Sequence, residues 1–206
     1  MLKSPTLLTR AALAFAAVVA VASMAHADLK TYEIDKAHSN VSFKIRHMLS
    51  KATGHFSTFS GSIALDPEKR DSVTVSAVID ASSIDTDEAK RDAHLRGADF
   101  FDVAQFPTIT FSGGELTEVN TDRTKGKLSG TLTLHGVAKP VILNVEWYGT
   151  AIDPWGNNKA AFSGTTTIDR KDFGMVYNKA LDNGGLLVGN EVEIEINIEA
   201  QIPKAK

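Results

Sequence analysis

Histidine is the residue type best able to do chemistry in this chain of 206 residues, and beyond the first 27 it occurs at positions 38, 47, 55, 94 and 135. Imidazole can ligate a metal or carry a proton near neutral pH. None of these histidines stands in HExxH or another recognised ligand spacing. The absence of cysteine removes thiolate metal sites, CxxC redox chemistry and cysteine nucleophiles. Asp92-Ala93-His94 suggests a carboxylate behind a histidine base, but residues i and i+2 of a helix point to different faces, and no GxSxG elbow supplies a nucleophile. Asn183-Gly184-Gly185 lacks the lysine of a phosphate loop and reads as a flexible loop. The histidines therefore read as turn and rim hydrogen-bonding groups, with no metal, no cofactor and no catalytic residue expected.

The aromatic residues carry more information. Ten Phe stand against three Tyr and two Trp, so few rings bring a polar handle. Any one Phe is ordinary core. As a set, Phe43, Phe56, Phe59, Phe100, Phe101, Phe106, Phe111, Phe162 and Phe173, together with Ile, Leu and Val, are what the wall of a cavity for an extended apolar ligand requires. That favours binding over catalysis.

The elements that must position these rings are almost all strands. Alternation at period two recurs at Val41-Phe43-Ile45, Phe59-Gly61-Ile63-Leu65, Val73-Val75-Ala77-Ile79 and Ile109-Phe111. It returns at Leu128-Gly130-Leu132-Leu134, Val141-Leu143-Val145-Trp147, Phe162-Gly164-Thr166-Ile168 and Val192-Ile194-Ile196-Ile198. The last set has a strongly fixed register, because a slip of one residue would bury three glutamates. Asp66-Pro67 and Gly113-Gly114 end two of these runs, and His135-Gly136 and Asp153-Pro154-Trp155-Gly156 mark turns. Eight or so strands with one wet and one dry face suggest a closed antiparallel barrel, with a two-sheet sandwich as the alternative. Gly61, Gly130 and Gly164, inside strands on the apolar face, are positions for bends or close approach of the kind that closes small barrels.

A single helix is expected from about Thr86 to Arg96. Asp85 and Glu88 have capping-box spacing, Asp87 and Arg91 stand four apart in the acid-first order, and Gly97 suits a left-handed position just past the end. A lone helix in an all-β chain, followed by Phe100-Phe101, reads as a lid or plug over an apolar interior.

The N-terminus has Lys3 and Arg10, an apolar run from Ala11 to Ala22, and Ala25-His26-Ala27 before Asp28. This is the order of a secretory signal peptide, so residues 1–27 are expected to be removed and residues 28–206 to form one domain. The run is too short to span a bilayer. No basic cluster offers a nucleic-acid footprint, and the net charge of −3 chiefly favours solubility.

Five segments together resemble the YceI-like family of bacterial periplasmic proteins: YEIDKAHSNVSFKIRHM, GHFSTFSGSIALD, KRDAHLRGADFFDVAQFPTITF, GTLTLHGVAKPVILNV and FSGTTTIDRKDFGM. The resemblance runs from about Tyr32 to Ile202. It implies an all-β fold, an extended lipocalin-like barrel of eight antiparallel strands with one short helix beside it, enclosing a long apolar tunnel for a polyisoprenoid or similar long-chain lipid. By motif it singles out Asp35, His38, Ser39, Phe43, His47, Arg91, His94, Leu95, Phe100, Phe101, Asp169, Arg170 and Phe173. The expected ligand contacts are Phe43, His47, Phe56, Phe59, Arg91, His94, Leu95, Phe100, Phe101, Phe111, Phe162 and Phe173, whereas Asp169-Arg170 reads as a structural ion pair and turn. Of these, Phe43, Phe59, Phe101, Phe111 and Phe162 would form the wall around the tail, and His47, Arg91 and His94 would orient the head. The expected function is periplasmic carriage, storage or sequestration of an isoprenoid lipid. The alternatives are a fatty acid or fatty amide in the same barrel, or an enzyme acting on an amphiphilic substrate with His47 or His94 as base. A homodimer and transient membrane contact complete the expected partners.

Overall fold

Each alternating apolar set becomes one strand of a single antiparallel sheet in the computed structural model, which describes residues 29–67, 73–180 and 186–204. The leader-like segment 1–27 and Asn183-Gly184-Gly185 lie outside the described residues. The strands are β1 (Lys30–Ile34), β2 (Asn40–His47), β3 (Ser50–Phe56), β4 (Phe59–Leu65), β5 (Val73–Asp80), β6 (Ile84–Asp85), β7 (Thr108–Thr117), β8 (Lys125–Leu134), β9 (Val137–Ile152), β10 (Asn158–Asp169) and β11 (Val188–Gln201). The neighbours β1, β4, β5, β7, β8, β9, β10 and β11 form a ring, which Glu33↔Gln201 and Ile34↔Ala200 close between β1 and β11. Closure makes the fold an eight-stranded barrel and excludes the sandwich.

The eleven segments reduce to eight barrel strands because three strands are interrupted. β1 and β2 both pair with β11, on either side of a turn at Lys36–His38. β3 and β4 are parted at residues 57 and 58, and β5 and β6 by a turn at Ala81–Ser83. Asp35 and Asp80 start the two turns by accepting the main-chain N–H two residues on, from Ala37 at 3.1 Å and Ser82 at 2.9 Å. The last two breaks are stitched together: Ser57 N–H donates to Ser83 O at 3.1 Å, Thr58 N–H to Ser83 Oγ at 3.0 Å, and Asp80 N–H to Thr58 O at 2.9 Å.

The helix α1 (Ala89–Arg96) is shorter than the sequence predicts. Ile84 is fully buried and pairs with Phe56, and Asp85 pairs with His55, so the chain is still a strand where the capping box would begin. Glu88 is the cap instead, accepting from Lys90 N–H at 3.2 Å and Arg91 N–H at 2.6 Å. Asp85 closes a turn with Asp87 N–H at 2.9 Å, Asp87 itself takes the positive φ of 61°, and Gly97 is extended at φ −77° and ψ 176°. Arg96 fastens the helix to the interrupted strands, donating from Nε to Ser82 O at 2.7 Å and from Nη2 to Ile84 O at 2.6 Å. Among the described residues β6 pairs only with β3, and α1 covers the edge that this leaves.

Packing concentrates at the two ends of the barrel. Phe56, Phe59, Ile84, Ile109, Leu134, Phe173 and Met175 are buried near α1, and Tyr32, Ile63, Leu65, Ala160 and Ala200 form a second cluster. Between them, the inward residues Val192, Ile194, Ile196 and Ile198 of β11 alternate with exposed Glu193 and Glu195, as the sequence predicts, yet are only half-buried. Val73, Val75, Ala77 and Ile79 of β5 show the same state. An inward apolar face that stays accessible marks a barrel with a hollow interior.

Candidate ligand-binding cavity

The hollow is an elongated cavity of about 580 Å³, within the 300–1,000 Å³ typical of ligand pockets. It follows β10 and β11 from Ile168 and Val192, which are partners, to Phe162 and Ile198, which are also partners. Trp147 adjoins the far level, with its ring 4.8 Å from that of Phe162. Gly130 and Gly164 act differently on this space. A Cβ at Gly130 would run into the Phe111 ring, so the absent side chain is what lets that ring lie against β8. A Cβ at Gly164 would meet only Val145 Cγ1, at 3.9 Å, and the missing side chain adds room to the cavity.

Eleven of the twelve residues singled out as ligand contacts line this cavity. Phe59, Phe111 and Phe162 stand on β4, β7 and β10. Phe43 on β2 and Phe56 on β3 have ring centroids 5.9 Å apart, and Phe101 meets Phe56 edge-on at 5.8 Å. His47 enters from the end of β2, and Arg91, His94 and Leu95 from α1. Phe100 follows the helix. Phe173 is the exception: it is buried in the turn Arg170–Phe173, outside the cavity lining, and its carbonyl accepts from His135 Nδ1 at 3.1 Å.

At the α1 end the polar groups are held by specific partners. Arg91 donates from Nε to Thr86 Oγ1 at 2.7 Å and from Nη2 to Thr86 O at 2.5 Å, rather than pairing with Asp87. Thr86 in turn donates to buried Asp92, through N–H at 3.0 Å and Oγ1 at 2.5 Å. His94 turns away from Asp92, as helix geometry requires, and bonds Asp99 Oδ2 at 2.8 Å. Its ring lies 5.1 Å from both Phe100 and Tyr177. Tyr177 lines the cavity two residues past the end of the FSGTTTIDRKDFGM segment, where neither the alternation nor the motif reaches it.

Asp169-Arg170 is not the ion pair that the sequence suggests. Asp169 caps the turn by accepting Lys171 N–H at 2.8 Å, while Arg170 is buried and donates from Nε to Gly189 O at 2.8 Å and from Nη1 to Met175 O at 2.5 Å. Burial lowers the pKa of its guanidinium, and the charge of Asp169 opposes that.

A second cluster sits at the break between β1 and β2. Lys159 Nζ donates to Asp35 Oδ2 at 2.6 Å and lies 3.0 Å from Glu199 Oε1, while His38 Nδ1 is 2.9 Å from Asp35 Oδ2. The Lys159 and His38 hydrogen bonds hold the Asp35 carboxyl at a pKa of about 2. The lysine already supplies the positive charge that these carboxylates call for, which makes the cluster a clasp across the strand break.

Ring closure, a hollow apolar interior and a helix across one end define a ligand-enclosing eight-stranded β-barrel. The chain belongs to the YceI-like family, whose domain profile matches residues 32–200. A UPF0312 protein of Pseudomonas aeruginosa is 38% identical over 194 residues, 93% of this chain and 96% of that protein. Among solved structures, Burkholderia cenocepacia BcnA superposes with a TM-score of 0.71 at 26% identity, covering 81% of this chain and 99% of BcnA. A polyisoprenoid binding domain from Saccharophagus degradans, implicated in plant cell wall breakdown, shares the fold with a TM-score of 0.62 at 16% identity, covering 84% of this chain and 98% of that domain.

Proposed function

We propose that this protein binds a long-chain isoprenoid lipid in the periplasm, holding the hydrocarbon in the barrel as a carrier, store or sequestering protein. The observation that carries the reading is the hollow interior, where inward strand faces remain half-buried along the sheet. The family membership, the polyisoprenoid-binding neighbour and the signal-peptide order of residues 1–27 support it.

The energetics favour recognition by the tail. Each buried methylene contributes about 0.8 kcal/mol and a neutral hydrogen bond a net of about 1 kcal/mol. A few isoprene units therefore outweigh a neutral head group. Phe43, Phe59, Phe101, Phe111 and Phe162 enclose the tail, and His47, Arg91 and His94 face the head at the α1 end. No reacting bond is needed for this role, so the protein acts by binding and not by turnover.

Mass spectrometry of lipid extracted from protein purified out of its native periplasm tests the reading. An isoprenoid in stoichiometric amount is expected. A fatty acid or fatty amide would change the ligand and keep the barrel's role. A dry interior that takes up no lipid after delipidation would overturn it.

A further inference from the structure

Arg170 is 2% exposed and lines the cavity, yet its hydrogen bonds use only two of its three nitrogens. Nη2 is buried with no hydrogen-bond partner among the described residues. A guanidinium cannot shed its charge at any ordinary pH, so burial leaves it in need of an anion or acceptor. The carbonyls of Gly189 and Met175 fix the plane of the group by holding Nε and Nη1. Its free nitrogen is therefore preorganised.

Asp169 offsets part of this charge, while the cavity lining near Arg170 adds cations and no acid. His47 pairs in register with Val188, next to the Gly189 that holds Arg170. Arg91 and Lys179 also line the cavity. Among the described residues, the single acid in the lining is Glu146, which stands on β9 against Lys125 at 3.3 Å, toward the opposite end.

We propose that Arg170 Nη2 anchors an oxyanion, a phosphate or carboxylate, carried on the head of the lipid whose chain fills the barrel. This rests on the lipid-binding reading and narrows it to acidic amphiphiles. Arg170 is thus a head-group residue, and the geometry of the turn Arg170–Phe173 serves to deliver it.

The test titrates the delipidated full chain with a prenyl monophosphate and with the prenol of equal chain length. The wild type should bind the phosphate at least about tenfold tighter, as expected for a charge-assisted bond. R170M should lose that preference while keeping prenol affinity within about twofold, since the hydrocarbon contacts are untouched. R170K, which keeps the charge and loses the fork, should recover part of it. Equal wild-type affinities overturn the assignment, as does a preference that survives in R170M. Should R170M fail to fold, the wild-type pair of affinities and the R170K preference decide. Inorganic phosphate that binds as tightly as the prenyl phosphate would assign the site to the free ion and remove the head-group role. Binding of neither lipid brings down the lipid reading as well, whereas equal binding of both brings down this inference alone.

Discussion

Lys159 Nζ meets Asp35 Oδ2 at 2.6 Å across 124 positions of sequence, tying the start of β10 to the gap between β1 and β2. Both side chains are mostly shielded from solvent. The pair clamps the place where the first barrel strand stops and restarts, so it should matter most when the carboxylate gains a proton.

The Asp35 pKa is about 2 in the fold, below its ordinary 3.8. The unfolded chain therefore takes up that proton first as pH falls. The stabilisation is complete above the unfolded value and is lost as pH drops through about 2. Asp35→Asn should cost about 1.5–3 kcal/mol at neutral pH, the range for a hydrogen bond to a charged group. It should also flatten the fall in stability between about pH 4 and pH 2, as read by urea midpoints across that window. Curves for the two proteins that stay parallel down to the lowest pH would deny the clasp its role.

Gly164 and Gly130 should respond to enlargement in opposite ways. Gly164→Leu projects into open cavity, so thermal unfolding should shift by only a few degrees, while lipid capacity measured by titration falls sharply. Gly130→Ala drives a methyl group into the Phe111 ring and should cost about 1–3 kcal/mol by overpacking. Full lipid uptake by Gly164→Leu would mean that the ligand lies elsewhere.

Arg96 fastens α1 to Ser82 O and Ile84 O, and Arg96→Ala removes both bonds together. Amide hydrogen exchange across residues 86–96 should accelerate by the loss of about 1–3 kcal/mol of local protection. Bound lipid should leave faster through the loosened end. Unchanged exchange in that segment would show that packing alone keeps the helix in place.

Most of the barrel was legible because a strand with one dry face writes its register into the sequence. All eight alternating sets, from Val41-Phe43-Ile45 to Val192-Ile194-Ile196-Ile198, became barrel strands. The His135-Gly136 turn followed too, with φ values of 51° and 73°. β3 escaped because its inward positions are Ala52, Gly54 and Phe56, too small and too few to alternate visibly. The helix start was misplaced because pairing of Ile84 and Asp85 with β3 overrode local capping preference. Closure was not legible from periodicity, since Glu33↔Gln201 joins the two ends of the domain and leaves no local trace.

The site divided along the same line. Phe43, Phe59, Phe111 and Phe162 could be placed by alternation, and those beside α1 by motif. Arg170 was misread because Asp169 beside it in sequence looked like its partner, whereas its real partners, Gly189 O and Met175 O, are main-chain groups without a sequence signature. Tyr177 shows the same limit, since only the folded chain brings it to within 5.1 Å of His94 and Phe100.

The half-buried inner faces of β5 and β11 have a consequence for motion. A wall of aliphatic and aromatic side chains has no notch in which one particular carbon of a guest must sit. A hydrocarbon can shift lengthwise by a methylene with little change in contact energy, because dispersion is short-ranged and nearly uniform along such a surface. The fit is then graded by how much chain is sheathed, as with a blade in a scabbard, and a fixed point at one end is what would give the guest a defined resting depth.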